Sequence, residues 1–316
     1  MSHLLPMESQ GALDGAAMDF TTAFIRAKSP CAGGFRWYLR HHADGGAYQQ
    51  VLDSLVEAGR VDDACWLLDQ LGPTTTLLKV DELVGDAVVF AGAIEVRRGI
   101  DVGTLVRAGR SIRSGGSVVA GSSIVVGGDL HARGVVRSGG PVHVSGDVWA
   151  DAGVQARGRF HCAGRLKADA MVSAGSGLCA RGDVSLRDDL LVEGGAECGK
   201  ALRVAGRIAI GGDLRVGQGI QCGQDVAAGG HLEAGLGIRA SGDISAAGAI
   251  RAGESIRTQG ELRAGAGYGI YAGLSVPLDA WDSCAFVAAA SRPDHLLSGH
   301  WCEESHASGC DALLEP

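Results

Sequence analysis

The sequence predicts a mainly β fold: a triangular single-stranded β-helix (β-solenoid) of roughly ten coils, with a small N-terminal helical domain and a C-terminal cap. Two observations support this. An apolar residue recurs at every sixth position from Ile94 to Tyr268. Glycine is abundant, at 51 of 316 residues, whereas proline is rare, at 7. These proportions indicate many short strands joined by tight turns, because glycine adopts corner conformations that a Cβ would resist.

The six-residue step defines the repeating unit. It is repeated 29 times between Ile94 and Tyr268, so 30 positions in succession are apolar. A second, usually small residue lies two positions after many of them, on the same side of the strand. These second inward positions include Val96, Val102, Ala108, Ala132, Ala168, Ala180, Val204, Ala234 and Ala252. Strands of about three residues are stable only when stacked on copies of themselves, so we expect three sides to close a coil of about 18 residues.

The predicted β-solenoid occupies residues 76–268 and is flanked by segments with other patterns. We expect a flexible N-terminus over 1–19 and a helical module over 20–75. After the repeat, longer apolar segments over 269–304 predict a C-terminal cap, which a solenoid needs to cover its last coil. Residues 305–316 are expected to form a flexible tail.

Four helices are predicted in the helical module from apolar residues at helical spacing. Glycine follows two of them, at Gly59 and at Gly72, where it is expected to end the helix. We expect the module to recruit a partner or to cap the first coil. The apolar positions are Phe20, Phe24 and Ala27; Phe35, Tyr38 and Leu39; Tyr48, Val51, Leu52, Leu55 and Val56; and Val61, Cys65, Leu68 and Leu71.

Two families share features of the repeat. The segment IRAGESIRTQGELRAGAG from Ile250 resembles hexapeptide-repeat proteins of the left-handed β-helix type. The segments GGDLHARG from Gly127, SGDVWADAG from Ser145, GGDLRVGQG from Gly211 and SGDISAAG from Ser241 resemble the cores of bactofilins, the polymer-forming cytoskeletal proteins of bacteria. The resemblance covers the repeat from Ile94 to Tyr268, a little more than half of the chain. It implies a β-solenoid that associates with copies of itself.

Composition narrows the functional classes. The net charge of −8 and the 5% aromatic content disfavour non-specific nucleic-acid binding and base stacking. No apolar run approaches about 18 residues, so no membrane span is expected. The nine cysteines include no CxxC pair, which predicts neither a disulfide framework nor a zinc finger. We therefore expect a soluble protein in a reducing cytoplasm.

A coil of about 18 residues would place outward side chains in three rows along the solenoid. In one row, His143, His161 and Cys179 follow one another at this spacing, with Glu197 next. Imidazole and thiolate groups are ligands for zinc and similar metals, so these three residues are a candidate metal site. A solvated polar ladder without a metal is the alternative.

A second row is a basic stripe on an acidic protein. Its cations are Arg113, Lys167, Arg203, Arg239 and Arg257, interleaved with His131, Trp149, Ser185 and Gln221. Stacked like charges repel one another, so the stripe predicts an anionic partner: an acidic protein, a membrane surface or nucleic acid. The alternative is that corner aspartates neutralise it, namely Asp129, Asp147, Asp183 and Asp213.

The third row is nearly uncharged between Asp101 and Arg263. A flat face of small residues favours lateral packing, so self-association is expected through Val119, Leu191, Ala209 and Ala227. The other members of the row are Gln155, Ser173 and Ser245.

The repeat also bears on catalysis. Acyltransferases built on hexapeptide repeats bind substrate beside loops extruded from a coil, and no insertion interrupts the six-residue step here. Without such a loop, little concavity is expected to orient a substrate. The sequence thus favours a non-catalytic scaffold without cofactors that self-associates like bactofilins. A capped monomeric or dimeric adaptor, with the helical module or the basic stripe binding a protein partner, is the alternative, and a hexapeptide-repeat acyltransferase is a remote one.

Overall fold

The structure is a computed structural model and describes residues 22–42 and 45–302. The flexible segments predicted at 1–19 and 305–316 lie outside the described residues, as does Phe20.

Four helices form the N-terminal region, as predicted. They are α1 (Thr22–Ala27), α2 (Ala32–His41), α3 (Tyr48–Glu57) and α4 (Val61–Leu71). Gly59 and Gly72 follow α3 and α4 with φ angles of 68° and 78°, a left-handed conformation that glycine adopts at low cost. None of the helices in the described residues has the length and hydrophobicity needed to cross a bilayer.

The rest of the described chain winds into a β-solenoid with three parallel sheets, its strands numbered here in chain order. Sheet A contains β1 (Leu77–Val80), β4 (Ala93–Val96), β7 (Ile112–Ser114), β10 (Leu130–Ala132), β13 (Val148–Ala150), β16 (Leu166–Ala168), β19 (Val184–Leu186), β22 (Leu202–Val204), β25 (Ile220–Cys222), β28 (Ile238–Ala240), β31 (Ile256–Thr258), β34 (Phe286–Ala288) and β36 (His300–Trp301).

Sheet B contains β2 (Leu83–Gly85), β5 (Ile100–Val102), β8 (Val118–Ala120), β11 (Val136–Ser138), β14 (Val154–Ala156), β17 (Val172–Ala174), β20 (Leu190–Val192), β23 (Ile208–Ile210), β26 (Val226–Ala228), β29 (Ile244–Ala246) and β32 (Leu262–Arg263). Sheet C contains β3 (Val88–Phe90), β6 (Leu105–Ala108), β9 (Ser123–Val126), β12 (Val142–Val144), β15 (Arg159–Cys162), β18 (Gly177–Ala180), β21 (Gly195–Cys198), β24 (Leu214–Val216), β27 (Leu232–Ala234), β30 (Ile250–Ala252), β33 (Ile270–Tyr271) and β35 (Leu296–Ser298). A 3-10 turn (Leu278–Ala280) and α5 (Trp281–Cys284) precede β34.

The solenoid has about 12 coils, because the described sheets contain 13, 11 and 12 strands. This is more than the roughly ten predicted. The first coil does not follow the six-residue pattern because its sides contain fewer residues. Leu78 pairs with Ile94 and Leu83 pairs with Ile100, so the chain closes this coil with fewer residues than three regular steps would use. From Val88, which pairs with Val106, successive strands are separated by three full six-residue steps.

The regular step ends earlier than the sequence predicted. Tyr268 was expected to point inward, but its side chain is 46% exposed and its ring contacts the edge of His231. Ile270 fills the inward position instead and pairs with Ile250, the partner that a constant step would have given to Tyr268. The two additional residues shift the phase of the repeat, and strands β33–β36 continue sheets A and C beyond it.

The interior of the solenoid is a continuous apolar core. The predicted inward residues from Ile94 to Leu262 are buried, with Phe160 the largest of the fully buried side chains. The inward thiols Cys162, Cys198 and Cys222 are buried too, and burial raises the pKa of Cys162 to about 12. These cysteines therefore act as small apolar residues.

The helical module packs against the side of the solenoid, over the outer face of sheet C. Val89, an outward residue of β3, is only 3% exposed beneath it. The Gln49 amide on α3 donates to the Val89 carbonyl (3.0 Å) and accepts from the Ala91 amide (2.9 Å). Arg107 on β6 forms an ion pair with Asp69 on α4. The module thus covers one side of the first two coils.

Substitution of a corner glycine tests whether the coils must stack this closely. A Cβ at Gly139 would overlap the carbonyl oxygen of Gly121 in the preceding coil, whereas at Gly219 the nearest atom, the Gly237 carbonyl oxygen, is 3.3 Å away. Gly139→Ala should lower the free energy of unfolding by about 1–3 kcal/mol, a typical cost of overpacking. Thermal unfolding followed by circular dichroism would measure it. The control, Gly219→Ala, should change stability much less, and equal losses would contradict the stacking explanation.

Candidate functional site

The coil spacing aligns the outward residues in the three rows that the sequence predicted. In sheet C, His143 pairs with His161, which pairs with Cys179, and Cys179 pairs with Glu197. In sheet A, the stripe runs in register from Arg113 to Arg257. In sheet B, the nearly uncharged row runs from Asp101 to Arg263.

Two histidine rings stack in the sheet C row. The centroids of His143 and His161 are 4.7 Å apart, and their planes differ by 11°. Burial lowers the pKa of His161, and the charges of His143, Arg181 and Arg159 lower it further. Burial also raises the pKa of the Cys179 thiol. These shifts favour a neutral imidazole at His161 beside a protonated thiol at Cys179.

The stacked geometry limits what the ladder can do with a metal. Stacked rings direct their nitrogen lone pairs side by side, within nearly parallel planes, rather than toward one point. Within residues 22–42 and 45–302, no group of three or more His, Cys, Asp or Glu side chains is arranged to hold a metal ion. The metal site at His143, His161 and Cys179 stays a prediction.

The corner aspartates near the basic stripe have other partners. Asp129 accepts a hydrogen bond from the Asp147 amide (2.9 Å), and Asp183 accepts one from the Ala201 amide (3.3 Å). The remaining two also form ion pairs, Asp147 with Arg165 (2.9 Å) and Asp213 with Arg215 (2.8 Å). A hydrogen bond from the His231 amide to Asp213 lowers the pKa of this carboxyl. These carboxylates join successive coils.

Three stripe cations, Arg113, Lys167 and Arg203, form no ion pair with any residue in the described ranges. The stripe also borders an open groove of about 390 Å³, with Arg203, Gln221 and Arg239 in its lining. A groove with guanidinium groups on two coils, separated by the coil that carries Gln221, provides donors for carboxylates.

The sheet B face has a larger apolar groove, of about 770 Å³. Its lining includes Ser173 and three residues predicted for self-association, Leu191, Ala209 and Ala227. The fourth, Val119, lies in the same row three coils before Ser173. The face therefore has an apolar depression over its middle and later coils.

Sequence reasoning missed three charged residues on this face. Arg137 belongs to the row and donates from Nε to the Gln155 side-chain oxygen (3.0 Å), although the row was predicted to be nearly uncharged there. Arg157 and Glu193 line the groove from the corners after β14 and β20. The same coil spacing would have found Arg137, whereas the corner residues lie outside a pattern based on strand centres.

Comparison with known proteins finds a similarity for one part of the chain. Residues 18–72 match the family described as the YdhT N-terminal domain, and this range contains α1–α4. Neither the curated proteins nor the solved structures include a match to this chain. The protein is thus a β-solenoid whose N-terminal helical region is similar to the YdhT N-terminal domain. The resemblances to bactofilins and hexapeptide-repeat proteins stay predictions.

The stacked histidines predict a pH dependence. Because the pKa of His161 is lowered in the folded state, the unfolded chain binds more protons as pH falls below the ordinary histidine pKa of about 6.5. The stabilising contribution of neutral His161 is therefore complete above that pKa and is lost as pH falls toward the folded-state pKa. His161→Gln should show a smaller loss of thermal stability than the wild type between pH 7.5 and roughly pH 5.

The control for this measurement is His131→Gln, at an outward position in sheet A, away from the stacked pair. This variant should keep the wild-type pH dependence. An identical dependence for His161→Gln and the wild type would show that His161 does not titrate in this way.

Proposed function

We propose that this protein is a non-catalytic, cytoplasmic scaffold that self-associates through the outer face of sheet B. Its repeat resembles the cores of bactofilins, which associate with copies of themselves. The observation that carries the proposal is the apolar groove of about 770 Å³ around Ser173, Leu191 and Ala209. Removing apolar surface from water favours association.

The other two faces are less suited to a second copy. Sheet A carries the basic stripe, so two such faces would repel one another. Sheet C is partly covered by the helical module at Val89. Sheet B combines the lowest charge along its row with the larger of the two solenoid grooves.

A scaffold without a reaction or a cofactor agrees with the open form of both solenoid grooves, which extend across several coils. A reducing cytoplasm agrees with the cysteines, since all eight in the described residues are free. Burial raises the pKa of Cys162, Cys198 and Cys222 and so keeps these thiols unreactive.

Charge placed in the groove tests the proposal. Leu191→Asp should weaken self-association at least about tenfold, because a carboxylate would lose its hydration in an apolar contact. Sedimentation velocity over a series of concentrations measures the change. Ser185→Asp introduces the same charge on sheet A of the same coil and should leave association unchanged. A wild-type chain that stays monomeric at every concentration would refute the proposal.

A second candidate function is an adaptor that binds an acidic protein segment along the basic stripe. The observation that favours it is the set of three cations without an ion pair among described residues, Arg113, Lys167 and Arg203, of which Arg203 lines the groove of about 390 Å³. Such cations would not have to give up an existing partner to bind a carboxylate.

The adaptor function predicts that changing Arg113, Lys167 and Arg203 together to glutamine weakens binding to poly-glutamate by about tenfold, since exposed charge pairs contribute about 0.2–1 kcal/mol each. Fluorescence anisotropy with labelled poly-glutamate measures the affinity. The control changes three ion-paired arginines to glutamine, Arg97, Arg187 and Arg207, and removes the same net charge. Equal weakening by both triple variants would indicate a response to net charge and would reject the stripe as the binding surface.

A further inference from the structure

Two opposite charges lie on the rim of the sheet B groove. Arg157 follows β14 and Glu193 follows β20, so both occupy the corner at which a strand ends. Both are exposed, and neither forms an ion pair with a described residue. Glycine occupies the corresponding corners after the neighbouring strands, at Gly139, Gly175 and Gly211. The two charged side chains are therefore separated along this edge and unobstructed by bulky neighbours.

The two charges are symmetric about one strand. Strand β17 lies midway between β14 and β20 in sheet B. A two-fold axis parallel to β17, through Ser173 and in the plane of contact, brings a second copy face to face. It reverses the order of the strands and keeps their direction, so β14 faces β20 of the second copy. Arg157 then faces Glu193 of the second copy, and the same pair recurs on the other side of the axis.

Side-chain size follows the same symmetry. The rotation places Arg137 opposite Ala209 of the second copy and Val119 opposite Ala227, because these pairs of strands are equally far from β17. In these two pairs a larger side chain on an earlier coil meets an alanine on a later coil, and Gln155 lies opposite Leu191. Ser173, at the axis, meets itself and is small enough for close approach.

Another arrangement is less favourable. An axis along the length of the solenoid would place every strand opposite its own copy. Arg137 would then meet Arg137, and the strand direction would reverse, so that Arg157 would meet the Gly153 end of β14. Like charges would face one another and neither rim charge would gain a partner, which disfavours this arrangement.

We propose that self-association of the sheet B face is isologous: a second copy of this chain docks about a two-fold axis along β17, and Arg157 and Glu193 form two reciprocal ion pairs. This inference rests on the proposed function, because it takes the sheet B face as the contact surface. The symmetry makes the interface self-complementary, as a closed dimer requires.

Charge reversal tests the pairing. Arg157→Glu places two glutamates opposite each other twice in each dimer, and Glu193→Arg does the same with arginines. Each variant should associate about tenfold more weakly than the wild type, because an attraction is replaced by a repulsion at both of the two contacts. An equimolar mixture of the two should restore association, because in the mixed dimer both contacts join opposite charges. The double variant should also associate like the wild type.

Sedimentation velocity of the single variants, their mixture and the double variant gives the result, with one variant fluorescently labelled in the mixture. The control is Arg133→Glu, which makes the same charge change at an exposed corner after β10 in sheet A. It should associate like the wild type.

The outcomes separate this inference from the proposed function. If the wild type associates and both single reversals associate equally well, the reciprocal pairing is wrong and the scaffold proposal stands. If the single variants fail and the mixture also fails, the charges matter but the two-fold arrangement is wrong. If the wild type stays monomeric, the proposed function and this inference both fail.

Discussion

Successive coils of the solenoid stack backbone on backbone, and this close approach determines the rest of the architecture. Parallel strands such as β10 and β13 pair residue for residue, so each coil reproduces the direction of the previous one. At the corners the contact is closer still, and the carbonyl oxygen of Gly121 leaves no room for a Cβ at Gly139. Glycine is needed here to permit stacking, since the φ of Gly139 is not in the left-handed region. The spacing of about 4.8 Å between coils then sets the spacing of every outward row.

The inward half of the structure could be predicted from the sequence because burial imposes one requirement at every sixth position. The apolar step from Ile94 to Leu262 identifies the core positions, and three sides per coil give the parallel pairing. The ends could not be predicted in this way. At Leu78 and Leu83 the coil is one or two residues shorter, and before Ile270 it is two residues longer. A pattern with a constant six-residue step no longer identifies the core positions where a side of the triangular coil changes length.

The surfaces were predicted less completely. Strand centres such as His161 and Leu191 follow from the alternation of side chains on a strand, whereas corner residues depend on the local path of the backbone. The acceptor role of Asp129 toward the backbone of the next coil could not be derived from spacing alone. The same holds for the positions of Arg157 and Glu193 beside the groove.

The lateral attachment of the helical module affects how the solenoid would unfold. In a repeat protein each coil contacts only its neighbours, so the end coils are the first to fray. Here the first coil is irregular, and its inward residues Leu78 and Leu83 are only partly buried. However, Gln49 forms hydrogen bonds with the backbone of Val89 and Ala91, and Asp69 forms an ion pair with Arg107 one coil further on. Unfolding from this end must therefore detach the helices as well. The weakest coil and the helical module thus form one cooperative unit.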